Sequence, residues 1–123
     1  VYKLGSRSIK RLEGVHPDLV KVVERAIEIS EIDFTVLEGR RTYQKQKEYY
    51  AAGKTTTMNS RHLTGHAVDL APWPISWAWP KFHLISNAMF QAADELVIPL
   101  QWGGHWKSFP DGPHHQLPWS EYS

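Results

Sequence analysis

Apolar and polar positions alternate along this chain with two different periods. Leu19, Val20, Val23, Ala26 and Ile27 recur at helical spacing, with Lys21, Glu24, Arg25 and Glu28 on the other side. Pro17 suits a first helical position and Asp18 complements the positive helix end, so the pattern predicts a helix over 17–30. Residues 33–38 are few and rich in β-formers, which predicts a strand ended by Gly39. Thr42 can cap a helix over 43–52, with Gly53 placed to terminate it. Phe82, Ile85, Met89, Ala92 and Leu96 keep a helical period again, predicting a long helix over 81–97 that Pro99 stops.

Between these helices the period changes. Residues 54–61 are polar and read as a loop. Over 66–71 the alternation predicts a strand with His66, Val68 and Leu70 on one face and Ala67, Asp69 and Ala71 on the other. Pro72, Pro74 and Pro80 break up a connection containing Trp73, Trp77 and Trp79. Residues 100–102 and 114–117 read as short strands. Residues 1–15 carry no clear period and are expected to form a surface lead-in. The pattern predicts an α+β domain spanning 1–123, a small antiparallel sheet packed with two to three helices.

Composition narrows the chemistry rather than the fold. A chain of 123 residues can build a core without staples. Fourteen Lys and Arg against thirteen Asp and Glu leave +1, so no global field calls for nucleic acid. Basic clusters at Lys3, Arg7, Lys10 and Arg11 and at Arg40, Arg41, Lys45 and Lys47 read as solvated faces, or as weak attraction to an anionic polymer such as a cell wall. With no cysteine, any transition metal must sit on His, Asp or Glu. No apolar run approaches a membrane span and no apolar leader opens the chain, so synthesis in the cytoplasm without a signal peptide is the expectation.

One stretch concentrates potential metal ligands: Ser60-Arg61-His62-Leu63-Thr64-Gly65-His66-Ala67-Val68-Asp69. Gly65 permits a turn that folds His62 back towards Asp69, and small Ala67 leaves room beside the carboxylate. The plainer reading of Asp69 is a strand-end carboxylate capping a turn. His114, in Asp111-Gly112-Pro113-His114-His115, would complete a His/Asp/His set with a coordination position left for water. Asp111 could face the same ion and accept a proton from water attacking a carbonyl; alternatively Asp-Gly-Pro is an ordinary turn. His62 and His66 have the four-residue spacing of a helical zinc pair, but Gly65 argues against a helix there. His114 and His115 would point to opposite faces of a strand, so only one can reach an ion. His16 and His83 have no partners in sequence and read as structural or surface residues. Most of the six Trp residues are expected in core or edge packing, with Trp106 the best candidate for a groove wall. Tyr43, Tyr49 and Tyr50 are expected to pack or snorkel.

Ser60-x-His62-x-x-Gly65-x-Ala67-x-Asp69, followed by Asp111-x-x-His114, resembles the motif pair of the zinc peptidases that comprise D-Ala-D-Ala carboxypeptidases and dipeptidases and phage L-alanyl-D-glutamate endolysins. Gly39-Arg40-Arg41-Thr42 with Gln46, and Trp102-Gly103-Gly104-x-Trp106, are similar to further elements of that family. The small size is most similar to the phage endolysin branch. The resemblance implies that His62, Asp69 and His114 bind zinc, that Asp111 is the general base and that Arg41, rather than Arg40, stabilises the oxyanion. Ser60 and Gln46 match as substrate contacts or site support. His105 departs from the Asp that many relatives carry there. The implied activity is hydrolysis of the L-alanyl-D-glutamate bond of peptidoglycan stem peptides by a monomer, reaching the wall once the membrane is disrupted. A D-Ala-D-Ala carboxypeptidase and a non-catalytic wall-binding domain that keeps the metal are the alternatives.

Overall fold

The computed structural model describes residues 1–123. Four helices, α1 (Ser6–Arg11), α2 (Pro17–Ile29), α3 (Tyr43–Ala51) and α4 (Trp79–Leu96), accompany strands β1 (Phe34–Glu38), β2 (Ala67–Pro72), β3 (Gln101–Trp102) and β4 (His114–Gln116). The strands form one antiparallel sheet in the order β1-β2-β4-β3. This is the α+β architecture expected from the pattern. No helix is long and apolar enough to cross a membrane.

The core lies between the sheet and the pair α2 and α4. Leu19, Val22, Val23, Ala26 and Ile27 of α2 meet Ile85, Ala88, Met89, Ala92 and Ala93 of α4, over Val36, Val68 and Leu70 of the sheet. Burying the larger of these side chains contributes about 1.5–3 kcal/mol each. That burial anchors one face of the sheet and leaves the other for polar residues. α2 starts at Pro17, as its missing N–H allows, and the His16 ring accepts the Asp18 N–H at 3.1 Å as a cap. His16 therefore does have a structural task.

Three expectations need correcting. Residues 1–15 are not a surface lead-in: Ser8, Leu12 and Val15 are buried, and α1 covers the edge strand β1. Ser8 Oγ accepts the Val36 N–H and Arg11 Nη1 donates to the Val36 carbonyl, both at 3.0 Å. Side chains thus satisfy an edge that would otherwise invite foreign strands. The sequence hid this helix because six residues are too few to display a period.

α4 begins at Trp79, since Pro80 is tolerated in a first turn where no N–H is needed. It ends before Pro99 acts, with Val97 in the left-handed region (φ 57°) and Ile98 N–H donating to Ala93. Of the tryptophans only Trp102 is buried; Trp73, Trp77, Trp79, Trp106 and Trp119 are exposed. Prolines keep most of residues 72–78 out of helix and ladder alike, so the rings of Trp73 and Trp77 stay at the surface.

Candidate metal centre and catalytic cleft

β2 and β4 bring the first two donors together. Asp69 and His114 are direct cross-strand partners, so their side chains leave the sheet on the same face, away from the α2/α4 core. The third arrives on a single turn of 3-10 helix over Arg61–Thr64. Ser60 caps that turn by accepting the His62 N–H at 3.2 Å, and Gly65 ends it in the left-handed conformation (φ 75°). A side chain at Gly65 would also collide with the Gly14 carbonyl. The turn is tied down further by the Arg41 N–H, which donates to the His62 carbonyl at 2.9 Å.

His62, Asp69 and His114 place one donor atom each within 4.8 Å of one another. His62 Nε2 and His114 Nδ1 both lie 3.3 Å from Asp69 Oδ1. Their remaining nitrogens are held from behind. His62 Nδ1 is 2.8 Å from the Gly39 carbonyl, which can only accept, so Nδ1 carries the proton and Nε2 presents a lone pair. His114 Nε2 is 2.7 Å from Gln116 Oε1, and Gln116 Nε2 in turn donates to Gln101, which leaves His114 Nδ1 facing the site. In their neutral forms the two rings each turn a lone pair towards the Asp69 carboxylate, a set that favours positive charge between them, whether a proton on a ring nitrogen or a cation. Carbonyl or amide support behind each imidazole is the usual outer shell of a metal ligand.

The titration behaviour of the metal-free protein agrees. Burial works to raise Asp69, but hydrogen bonds with His114 and His62 outweigh it and hold the carboxyl well below the ordinary carboxylate range. Burial works to lower His114, yet the hydrogen bond and charge of Asp69 leave it above the ordinary imidazole value. The site attracts positive charge as it stands.

Asp111 enters from the turn before β4. Its N–H donates to the Gly103 carbonyl at 2.9 Å, and Trp102 Nε1 donates to the Gly112 carbonyl at 2.7 Å, so the buried tryptophan fixes the turn. Burial and then the nearby Asp69 charge raise Asp111, opposed by His114, His62 and Arg41. A carboxyl raised in this way takes up a proton more readily than an ordinary carboxylate, as a general base must.

These groups line one cleft of about 610 Å³. Arg41 lies in it, while the Arg40 side chain packs beside Gly14 outside it. Trp106 forms part of the wall, its ring 5.0 Å from that of His114. Ser60 lines the cleft as well as capping the turn. Gln46 does not line it. It is fully buried, receives Arg41 Nη1 on Oε1 at 2.7 Å and donates Nε2 to the Thr57 carbonyl at 2.6 Å. This placement favours site support over substrate contact for Gln46.

Other histidines stand apart. His66 bonds to Thr64 Oγ1 at 2.6 Å and packs near His16, and His83 packs on Trp102. His105 lies between Phe90 and Trp102, away from the cleft. Tyr43 and Tyr50 are exposed, whereas Tyr49 lines the cleft beneath the Arg41 guanidinium, 4.7 Å away.

Glu38, Arg61 and Trp119 also line the cleft, though no functional motif in the sequence singles them out. Arg61 donates to the carbonyls of Leu117, Pro118 and Tyr122 and stacks 4.0 Å from the Trp119 ring, fastening the C-terminal segment beside the cleft. For Glu38 one signal existed, the three-residue spacing to Arg41. For Arg61 and Trp119 the partners are more than fifty residues apart, and no local pattern relates them.

The phage L-alanyl-D-glutamate peptidase family model matches residues 1–116. The chain is 37% identical over 117 residues to an L-alanyl-D-glutamate peptidase of Escherichia phage T5, covering 89% of this chain and 85% of that protein. A Listeria phage L-alanyl-D-glutamate peptidase is 26% identical over 121 residues, 95% of this chain and 43% of its own length. Among solved structures, the Serratia marcescens L-Ala D-Glu endopeptidase ChiX superposes with a TM-score of 0.91 at 46% identity, covering 95% of this chain and 90% of that one.

Proposed function

The chain belongs to the phage L-alanyl-D-glutamate peptidase family, and on that basis we propose that it hydrolyses the L-alanyl-D-glutamate bond of peptidoglycan stem peptides with zinc held by His62, Asp69 and His114. The observation that carries the zinc assignment is the convergence within 4.8 Å of one carboxylate and two imidazoles, each held from behind by the Gly39 carbonyl or the Gln116 amide. Three nitrogen and oxygen ligands in a cleft, leaving a position open, are the donor set of a catalytic zinc site. Bound there, zinc supplies Lewis acidity towards the scissile carbonyl and activates water at neutral pH.

The chain's own residues do the rest. Asp111 takes the proton of the attacking water and returns it to the amine that leaves as the amide bond breaks. Arg41 donates to the carbonyl oxygen as negative charge develops on it, from a position largely withdrawn from solvent where such a bond is strong. Trp106 and Ser60 flank the bound peptide. All these groups come from one chain, which supports action as a monomer. The wall is reached after the host membrane has been breached.

Digestion of purified muropeptides followed by mass spectrometry tests the activity. New D-Glu amino termini and L-Ala carboxyl termini are expected. Loss of terminal D-Ala alone would make it a carboxypeptidase, and intact stem peptides would leave only a binding domain. Elemental analysis should give one zinc per chain.

A further inference from the structure

We infer that Glu38 is a positioning residue for hydrolysis, holding the Arg41 guanidinium where it meets the developing oxyanion. The inference rests on the role proposed for Arg41. Three independent features of the fold converge on it.

The first is a β-bulge. Along β1 and β2 the partners run Phe34 with Pro72, Thr35 with Ala71 and Val36 with Leu70, and then Glu38, not Leu37, stands opposite Asp69. Without the extra residue Glu38 would fall opposite Val68, whose side chain faces the core. The bulge turns its carboxylate onto the face that carries the metal centre, a common use of bulges beside active sites.

The second is the way Arg41 is gripped. Its Nε donates to both Glu38 oxygens at 3.1 Å, and its Nη2 donates to Glu38 Oε1. Its Nη1 donates to Gln46 Oε1 at 2.7 Å, and the face of the guanidinium lies over Tyr49. A guanidinium has five N–H bonds. Glu38 occupies two and Gln46 one, so two remain for a substrate oxygen. A fork of this kind fixes geometry as well as charge.

The third is burial. The Arg41 side chain is only 9% exposed and that of Glu38 23%. A charge so far out of water requires a partner, and Glu38 is the one carboxylate bonded to it. Gln46 extends the arrangement to the Thr57 carbonyl, so the rim of the cleft is joined to the same guanidinium.

Steady-state kinetics of the zinc-loaded protein on a stem peptide containing the L-Ala-D-Glu bond decide the matter. Glu38→Gln, which keeps the shape and one acceptor, should lower kcat about tenfold, and Glu38→Ala about a hundredfold, a loss in line with a slight misplacement of a catalytic group. KM and zinc stoichiometry should stay near the wild-type values. In an Arg41→Ala background Glu38→Gln should cause no further loss, because its effect passes through the guanidinium. An unchanged kcat in Glu38→Gln overturns the inference. So does an equal loss in the Arg41→Ala background, or a Glu38→Gln protein that no longer holds zinc. Failure of the Arg41 role has its own signature, an Arg41→Ala protein with undiminished kcat, and would overturn the inference with it.

Discussion

His114 and His115 are adjacent and chemically identical, yet β4 delivers them to opposite sides of the sheet. His114 faces the cleft, 3.3 Å from Asp69, with Gln116 behind it. His115 is wholly buried, its ring nearly parallel to that of Trp102, and it makes no hydrogen bond to another side chain. Burial, followed by the nearby His114 charge, pushes His115 down to about 3, so it is a neutral, space-filling group. At His114 the same burial is outweighed by Asp69. Residue type therefore says little about chemistry here; a carboxylate across the ladder draws one ring into a charged cluster, and its absence leaves the other as a filler.

The sharpest way to break the comparison is to remove each ring in turn. His114→Ala should abolish metal binding and lower hydrolysis by orders of magnitude, read by elemental analysis and muropeptide digestion. If the variant still holds one metal per chain, His114 is not a ligand. Asp111→Ala comes next. It should keep the metal and the fold while activity falls by about 10²- to 10⁴-fold, the usual worth of a general base. An active Asp111→Ala protein would remove Asp111 from the chemistry.

A subtler effect is the separation of the two titrations in the metal-free protein. Imidazole NMR should show His114 taking its proton above the usual pH and His115 only near pH 3. The consequences for stability have opposite signs. His115 binds a proton more readily when unfolded, so its contribution is complete above the ordinary imidazole value and is lost as pH falls towards 3. His114 binds its proton more readily when folded, so its contribution is complete below the ordinary value and is lost as pH rises through the raised one. Coincident titrations would erase the distinction.

The smallest effect is expected from His115→Leu. It exchanges a neutral buried ring for hydrocarbon of similar volume, so metal content should not change and stability should shift by less than about 1.5 kcal/mol in denaturant unfolding. Loss of metal in that variant would mean that the core face and the site face are not separable.

Much of this protein was legible locally. The helices α2, α3 and α4 announce themselves by period and by caps such as Thr42, because helical bonds link residues three and four apart. The converging residues His62, Asp69 and His114 and the nearby Asp111, proposed as the base, stand in short motifs for the same reason: a turn, a glycine and a strand end are local objects. What only the tertiary structure decided concerns partners far apart in sequence or displaced by a single residue. α1 becomes a helix by pairing Ser8 and Arg11 with β1. Gln46 is turned inward by Thr57 and Arg41. Five tryptophans stay outside because the core is filled by aliphatic side chains of α2 and α4. Glu38 reaches Arg41 because one extra residue in β1 reverses the face of its side chain. Side chains alternate along a strand with a period of two, so a shift of one moves a residue from core to site, and that register is set by the whole sheet.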